Sequence, residues 1–378
     1  MEVEVPETAP QQDWLWSIES LRGVAIIAVV VIHVSSIVTS LTPTARSWEM
    51  YVAVNRLSSF AVPLFIFLSA LTATHIFYRR PGRSWRVFYA RRWQQVGVPY
   101  LIWSIFYLFY RFGSLGENHT IFYQPFEWSG WTFLGKSYYH MYFFPIVIQL
   151  YLLFPLLIAF YRLRSWRFGT FVGLFALAEL AFYFLNRAYL YHRFPYSATL
   201  LTSYLPLVAA GIWLGAHVGE WSIWWRVWRW PSLVFATVGG GIYWWLYRLV
   251  FAGQPVNTLI VQGAWWVYST GVALLLWGLA NSSVIRHLSL KWLARIGSVS
   301  FGIYLMHPLF LNEWRRLLPV GTGWSFHLNN LAGFLCIFFA SWGMTLFLQR
   351  VAVGRYLLGE PRQSQPGPIK LEEKWNVY

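Results

Sequence analysis

The sequence predicts an all-α protein, a polytopic membrane bundle of about ten transmembrane helices. Of its 378 residues 57% are hydrophobic and only 11% are charged, whereas soluble domains carry roughly 25% charged residues. Apolar runs of membrane-spanning length recur along the chain, and the basic residues concentrate in alternate loops between them. There is too little charge to coat a soluble globule, so these observations exclude an ordinary soluble enzyme.

The net charge of +15 has two explanations. In a soluble protein, such an excess would indicate nucleic-acid binding. Here the basic residues lie mainly in short loops next to apolar runs, which is typical of membrane topology and of contact with anionic lipid. We therefore expect a lipid bilayer, and no nucleic acid, as a partner.

Ten apolar runs are predicted to span the membrane. Most of them reach the roughly 20 residues that a spanning helix needs. They lie at 15–38, 52–78, 93–112, 140–160, 169–186, 199–218, 231–252, 261–280, 298–312 and 327–350.

The loop charges predict the orientation. One set of loops holds 14 Arg and Lys residues, at 79–92, 161–168, 219–229 and 281–297. The alternate set holds 6, at 39–51, 113–139, 187–198, 253–260 and 313–326. Because positive loops stay in the cytoplasm, both termini are predicted to be cytoplasmic. We expect a disordered tail over 1–13, one membrane domain over 14–352 and a flexible cytoplasmic tail over 353–378.

The first predicted span carries three ionisable residues, Glu19, Arg22 and His33. Glu19 lies three residues before Arg22, within reach of an ion pair on one helix face. Arg22 and His33 are eleven residues apart, which places them about 16 Å apart on nearly the same face. Ionisable groups at membrane depth are costly, so this stripe is a candidate functional site. Two structural alternatives stay open: an interfacial charge pair for Glu19 and Arg22, and a packing histidine for His33.

The same stretch carries a family resemblance. Glu19-Ser-Leu-Arg22-Gly-Val-Ala, with ten residues between Arg22 and His33, resembles the start of the integral-membrane acyltransferase family 3. Members of that family move an acyl group, usually acetyl, from cytoplasmic acyl-CoA to a sugar of a surface polysaccharide or glycolipid. The family usually has Asp where Glu19 stands, and this difference preserves the negative charge.

Two later segments are similar to the same family. Ser300-Phe-Gly302-Ile-Tyr304-Leu-Met-His307-Pro308 lies in the ninth run, with Tyr304 and His307 on one helix face. His140 opens the fourth run in a His-aromatic pattern, and we expect it at the outer membrane face. The resemblance implies that His140, Tyr304 and His307 bind substrate. A structural role for His140 is an equal alternative.

The arginine-rich segment around the third run is the candidate donor site. Arg83, Arg86, Arg91 and Arg92 lie in a stretch without acids, and guanidinium groups bind phosphate oxygens in a bidentate manner. The segment resembles the family's arginine motif, which implies binding of acyl-CoA. The motif's second arginine, three residues on, is Gln95 here. A plain cytoplasmic topology signal is the alternative for each arginine.

The resemblance implies an acyl-CoA-dependent O-acetyltransferase of the cell membrane. Acyl-CoA, as acetyl-CoA, would be the donor substrate, and no bound cofactor or metal is expected. His33 would act as general base, with Arg22, held by Glu19, orienting the donor or stabilising charge on the carbonyl oxygen. An association with polysaccharide synthesis machinery is compatible with this role. The alternatives are an exporter or flippase of polysaccharide or lipid-linked sugar, and a structural subunit of a synthase.

Overall fold

A computed structural model of the chain describes residues 9–37, 46–79, 82, 84–114, 116, 124–194, 196–282, 291–318 and 324–359. Within these ranges the secondary structure is helical and contains no β-strand, which confirms the all-α class. In chain order the helices are α1 (Ala9–Ser35), α2 (Arg46–Leu57), α3 (Ala61–Arg79), α4 (Trp85–Arg92), α5 (Val98–Ser114), α6 (Pro125–Phe133), α7 (Phe143–Arg162), α8 (Phe168–Leu185), α9 (Leu205–Ala216), α10 (Trp221–Phe251), α11 (Thr258–Asn281), α12 (Lys291–Ser298), α13 (Ser300–Leu317), α14 (Trp324–Arg350) and α15 (Gly354–Leu358).

Among the described residues, seven segments are long and apolar enough to cross a membrane. They are Trp14–Ser35, Ser47–Arg79, Phe143–Arg162, Phe168–Leu190, Val218–Phe251, Thr258–Asn281 and Trp324–Arg350. Each coincides with one of the predicted runs, which confirms a helical membrane protein. The other three predicted runs fall on α5, α9 and α13, which have 17, 12 and 18 residues. The count of ten spans and the cytoplasmic termini stay predictions.

The described residues form two compact units. The first contains the chain up to Leu68 together with Gly219–Leu346, and the second contains Ser69–Val218 and the segment that begins at Phe347. Helix α3 and helix α14 each contribute residues to both units.

In the second unit, two prolines determine where helices begin and deform. Pro99 has no N–H to offer the carbonyl of Gln95, and the preceding turn, Trp93–Gly97, widens into a π-helix. Pro206 lies in the first turn of α9, where a proline is well tolerated. The residues just before α9 form two 3₁₀ turns instead of continuing the helix, which explains why the predicted run 199–218 yields only 12 helical residues.

A buried carboxylate supports the start of α9. Glu179 in α8 is 1% exposed, and its Oε2 accepts a hydrogen bond of 2.9 Å from the backbone N–H of Leu205. The first N–H groups of a helix have no partner within the helix, and a negative charge is favourable at that end. Glu179 therefore ties α8 to α9.

In the first unit, α1 is the central helix. It packs against α2, α11, α12 and α13, and its side chains Ile18, Ala25 and Ile26 are completely buried. The closest approach is the crossing with α12, where a Cβ on Gly23 would overlap the backbone of Leu293 and a Cβ on Gly297 would overlap the backbone of Glu19. Small residues of this kind let membrane helices approach closely. The crossing lies at the level of the Glu19–Arg22 pair.

We expect Gly297→Ala to destabilise the protein, because the added methyl group has no room against the α1 backbone. Overpacking of this kind costs about 1–3 kcal/mol of unfolding free energy. The midpoint of thermal unfolding in detergent measures the effect. Gly343→Ala in α14 is the matched control, because no atom lies within 4 Å of the added Cβ. Equal midpoints for the two variants would contradict the close crossing.

Candidate active site

The first element of the candidate site is the ion pair on α1. Arg22 Nη1 lies 2.9 Å from Glu19 Oε1, as the i,i+3 spacing predicts. The Glu19 side chain is 1% exposed and that of Arg22 is 28% exposed. Within the described part of the chain, Glu19 Oε2 has no hydrogen-bond partner. The pair therefore contains a deeply buried carboxylate that is neutralised by one guanidinium.

The second element is a pair of stacked imidazoles. The ring of His33 on α1 stacks on the ring of His307 on α13, with 5.1 Å between centroids and 30° between planes. Tyr304 is the third ring of the cluster, 5.8 Å from His307. The structure thus brings His33, near the start of the chain, together with Tyr304 and His307, which lie close to each other near its end.

The orientation of His307 follows from its backbone contact. Its Nδ1 lies 3.2 Å from the carbonyl oxygen of Ile303, one helical turn earlier. Because a carbonyl oxygen only accepts, Nδ1 carries the proton. In the neutral ring Nε2 therefore holds the lone pair. The side chain is completely buried, so its position is fixed by packing as well as by this hydrogen bond.

Side chains from two other helices hold the last turn of α1. Asn55 on α2 donates to the carbonyl of Ile32 at 2.8 Å and to Ser35 Oγ at 3.1 Å. Arg315 on α13 donates to the carbonyl of His33 at 2.9 Å and to Ser36 Oγ at 3.0 Å. The last carbonyls of a helix lack partners within the helix, and a positive charge is favourable there. The backbone that carries His33 is therefore fixed from two sides.

Sequence reasoning missed both of these residues. Asn55 is a polar residue within the apolar run 52–78. Polar groups in such runs usually serve a function or bind a partner, so its position alone could have predicted a role for it. Arg315 lies two turns after His307 in the same helix. Its partner on α1 depends on helix packing, which no local pattern encodes.

In the second unit, the arginine-rich segment forms α4 and the π turn that follows. Arg92 Nη1 donates to Gln95 Oε1 at 3.1 Å, and its guanidinium lies 4.7 Å from the centre of the Tyr151 ring. Gln95 is the residue that stands where the family motif has a second arginine. Arg86 is exposed and Arg91 is half-buried. Arg83 lies outside the described residues.

Nearly the whole chain matches one family. The family model described as an acyltransferase domain covers residues 15–348, a range that contains most of α1, all of α2 to α13 and most of α14. The chain belongs to acyltransferase family 3. Together with the membrane-length helices, this makes it a membrane acyltransferase. The comparisons with curated proteins and with solved structures each returned no match.

His140, the remaining predicted site residue of this acyltransferase, is enclosed by aromatic rings. Its side chain is completely buried, and the rings of Tyr107, Tyr138 and Tyr139 lie 4.9, 5.8 and 5.7 Å from its own. This environment suits the structural alternative. Contact between His140 and a substrate stays a prediction.

We expect Asn55→Asp to destabilise the protein, because a carboxylate only accepts hydrogen bonds and would face the carbonyl of Ile32. Leaving that half-buried carbonyl without its donor costs about 1 kcal/mol or more. Thermal unfolding in detergent is the measurement. Asn257→Asp is the matched control: Asn257 Oδ1 accepts from the N–H of Leu259 at the start of α11, a contact that Asp preserves. If both variants unfold at the same temperature, Asn55 does not hold α1.

Proposed function

We propose that this acyltransferase moves an acetyl group from cytoplasmic acetyl-CoA to a hydroxyl group of a surface polysaccharide or glycolipid. The observation that carries the proposal is the stack of His33 on His307, at the end of α1 that Asn55 and Arg315 hold. A neutral imidazole has a nitrogen lone pair that accepts a proton, which is what a general base requires. The donor and the acceptor class rest on the family resemblance.

In the proposed reaction His33 is the general base. The hydroxyl oxygen of the acceptor attacks the thioester carbonyl, and His33 takes the hydroxyl proton. A new C–O bond forms, the C–S bond breaks, and the leaving CoA thiolate takes the proton from His33, which returns to its neutral form. The products are the O-acetyl ester and free CoA. A positioned base of this kind typically contributes 10²–10⁴-fold to the rate.

We assign His307 to the binding of the acceptor hydroxyl. With its proton on Nδ1, the neutral ring offers Nε2 as a hydrogen-bond acceptor. A hydroxyl that donates to Nε2 would lie beside His33, since the two rings are stacked. Tyr304 adds a phenol to the same cluster. This arrangement supports the substrate-binding roles of Tyr304 and His307.

The distance along α1 limits what Arg22 can do. Eleven residues of helix separate it from His33, about 16 Å along the axis. An arginine side chain does not span that length, so stabilisation of the carbonyl oxygen beside His33 is disfavoured. The other role predicted for Arg22, orienting the donor, is still open to it if it contacts a more distant part of that molecule. The pantetheine arm of CoA is an extended chain, so we propose that it runs along α1 from the level of Arg22 to that of His33, with Glu19 holding Arg22 in place.

We propose that Arg86, Arg91 and Arg92, with Arg83, bind the phosphates of the donor. The guanidinium groups supply the charge that phosphates require. A donor bound at these arginines requires that α4 face the cytoplasm, as the loop charges predict. The acceptor then comes from the opposite side of the cell membrane, where machinery for polysaccharide synthesis would supply it.

We expect His33→Ala to lower the transfer of label from [¹⁴C]acetyl-CoA to membrane glycan by about 10²–10⁴-fold, because it removes the base. Arg22→Ala should also lower the transfer. Immunoblots of the membrane fraction check that each variant is inserted. His192→Ala is the matched control, because this histidine is exposed in the second unit. Normal transfer by inserted His33→Ala protein would exclude the proposed base. A glycan exporter would transfer no label in any variant.

We expect Arg92→Gln to raise the acetyl-CoA concentration needed for half-maximal transfer and to leave the dependence on the glycan unchanged. The loss of a charge-assisted hydrogen bond predicts an effect of about tenfold or more. Initial rates at varied acetyl-CoA provide the measurement. Arg187→Gln, in a loop predicted to face outward, is the matched control. If Arg92→Gln needs the same acetyl-CoA concentration for half-maximal transfer as the wild type, Arg92 does not bind the donor.

A further inference from the structure

A short helix that follows the family domain reaches the π turn next to the arginine-rich segment. This helix is α15 (Gly354–Leu358), which packs against α5 within the second unit. The family match ends at residue 348, so α15 lies outside the matched domain. The reaction described above uses none of its residues.

Two contacts fix α15 in this position. The indole Nε1 of Trp103 on α5 donates to the carbonyl of Leu357 at 3.0 Å. At the end of α15, Gly359 lies so close to Gln95 that an added Cβ would overlap the Gln95 backbone carbonyl. Leu358, between these two contacts, is buried. The end of α15 is therefore anchored on α5 and lies directly against the π turn Trp93–Gly97.

Glycine at position 359 meets two separate requirements. Its φ of +64° lies in the left-handed region, and its N–H donates to the carbonyl of Arg355, which ends α15. Residues with a side chain rarely adopt this conformation. The missing Cβ also leaves room for the carbonyl of Gln95. A side chain at this position would therefore displace either the end of α15 or the π turn.

Gln95 connects this contact to Arg92. Its Oε1 accepts a hydrogen bond of 3.1 Å from Arg92 Nη1, while its backbone lies against Gly359. Within the described part of the chain, this is the one hydrogen bond that the Arg92 guanidinium makes. A guanidinium has five N–H groups, so most of them remain for a ligand. The Gln95 side chain thus orients Arg92 without using up its capacity to bind phosphate.

We propose that α15 and Gly359 position the donor site: they hold the π turn so that Gln95 keeps Arg92 in place for a phosphate of acyl-CoA. The inference rests on the donor role proposed for Arg92. Gln95 adds no charge of its own, so its contribution to donor binding has to come from the placement of that guanidinium. A group that is held in its binding geometry loses less conformational freedom when the ligand binds.

The test measures the binding of tritiated CoA to the full-length protein in detergent. Gly359→Ala should raise the dissociation constant by about threefold to tenfold, because a displaced π turn weakens the contacts of Arg92 with phosphate. Gly253→Ala is the matched control. Gly253 also has a positive φ, +73°, but no atom lies within 4 Å of its added Cβ, so the control carries the backbone strain without the overlap.

Trp103→Phe provides a second variant that leaves Gly359 intact. It removes the N–H that holds the Leu357 carbonyl, so it should raise the dissociation constant for CoA in the same direction. The thermal unfolding midpoint of each variant is measured alongside. A purely structural role would lower these midpoints and leave the affinity of the folded protein for CoA unchanged.

A double variant tests whether α15 acts through Arg92. Arg92→Gln alone should raise the dissociation constant for CoA by about tenfold. Adding Gly359→Ala to it should cause no further loss, because residues that act through one another are not additive. If the two losses multiply instead, α15 does not act through Arg92 and the inference is wrong.

CoA binding separates this inference from the proposed function, because it requires neither an acceptor nor acyl transfer. If Arg92→Gln weakens binding but Gly359→Ala and Trp103→Phe bind as tightly as the wild type, the inference is wrong and the donor role of Arg92 is supported. If Arg92→Gln binds CoA as the wild type does, both the donor role and the inference are wrong.

Discussion

The structure of the first unit depends on one constraint. Lipid offers no hydrogen-bonding partners, so the polar groups on α1 have to find their partners within the protein. Glu19 meets this need with Arg22, and the exposed carbonyls at the end of the helix meet it with Asn55 and Arg315. The ring of His33 stacks on that of His307. These contacts require neighbouring helices to lie close to α1, and the two glycines at its crossing with α12 make that approach geometrically feasible.

The same contacts fix the position of the imidazole. Catalysis by a positioned base requires its reacting atoms to be held within a fraction of an ångström. A side chain at the last turn of a helix would ordinarily move with the fraying of that turn, since its carbonyls have no partners within the helix. Hydrogen bonds from α2 and α13 to the backbone at and before His33 remove this freedom. The backbone of the histidine is therefore held by residues that touch its main chain, and its ring is packed against His307.

Much of this arrangement follows from the sequence, and the remainder depends on packing. The helical class, seven of the ten apolar runs and the Glu19–Arg22 pair follow from composition, run length and i,i+3 spacing, which are local properties. The stack of His33 on His307 could not be derived in this way, because the helical period gives a residue's angle about its own axis and not the neighbour that it meets. The predicted run 199–218 contains Pro206, which marks the start of α9. A prediction based on hydropathy alone does not detect this helix start.

The separation of the two elements on α1 bears on the kind of substrate. The ion pair and the imidazole lie on nearly one face of α1 but about 16 Å apart, so no small molecule contacts both. The proposed donor has a long flexible arm, and an arm of that kind could extend from one level to the other. A sugar in transit through an exporter would need a series of similar polar contacts along its path. A single charge pair at one level and a stacked imidazole pair at another are better suited to holding an extended donor that reacts at its far end. The spacing of the two elements on α1 therefore agrees with acyl transfer from an extended donor, the kind of donor that the family resemblance implies.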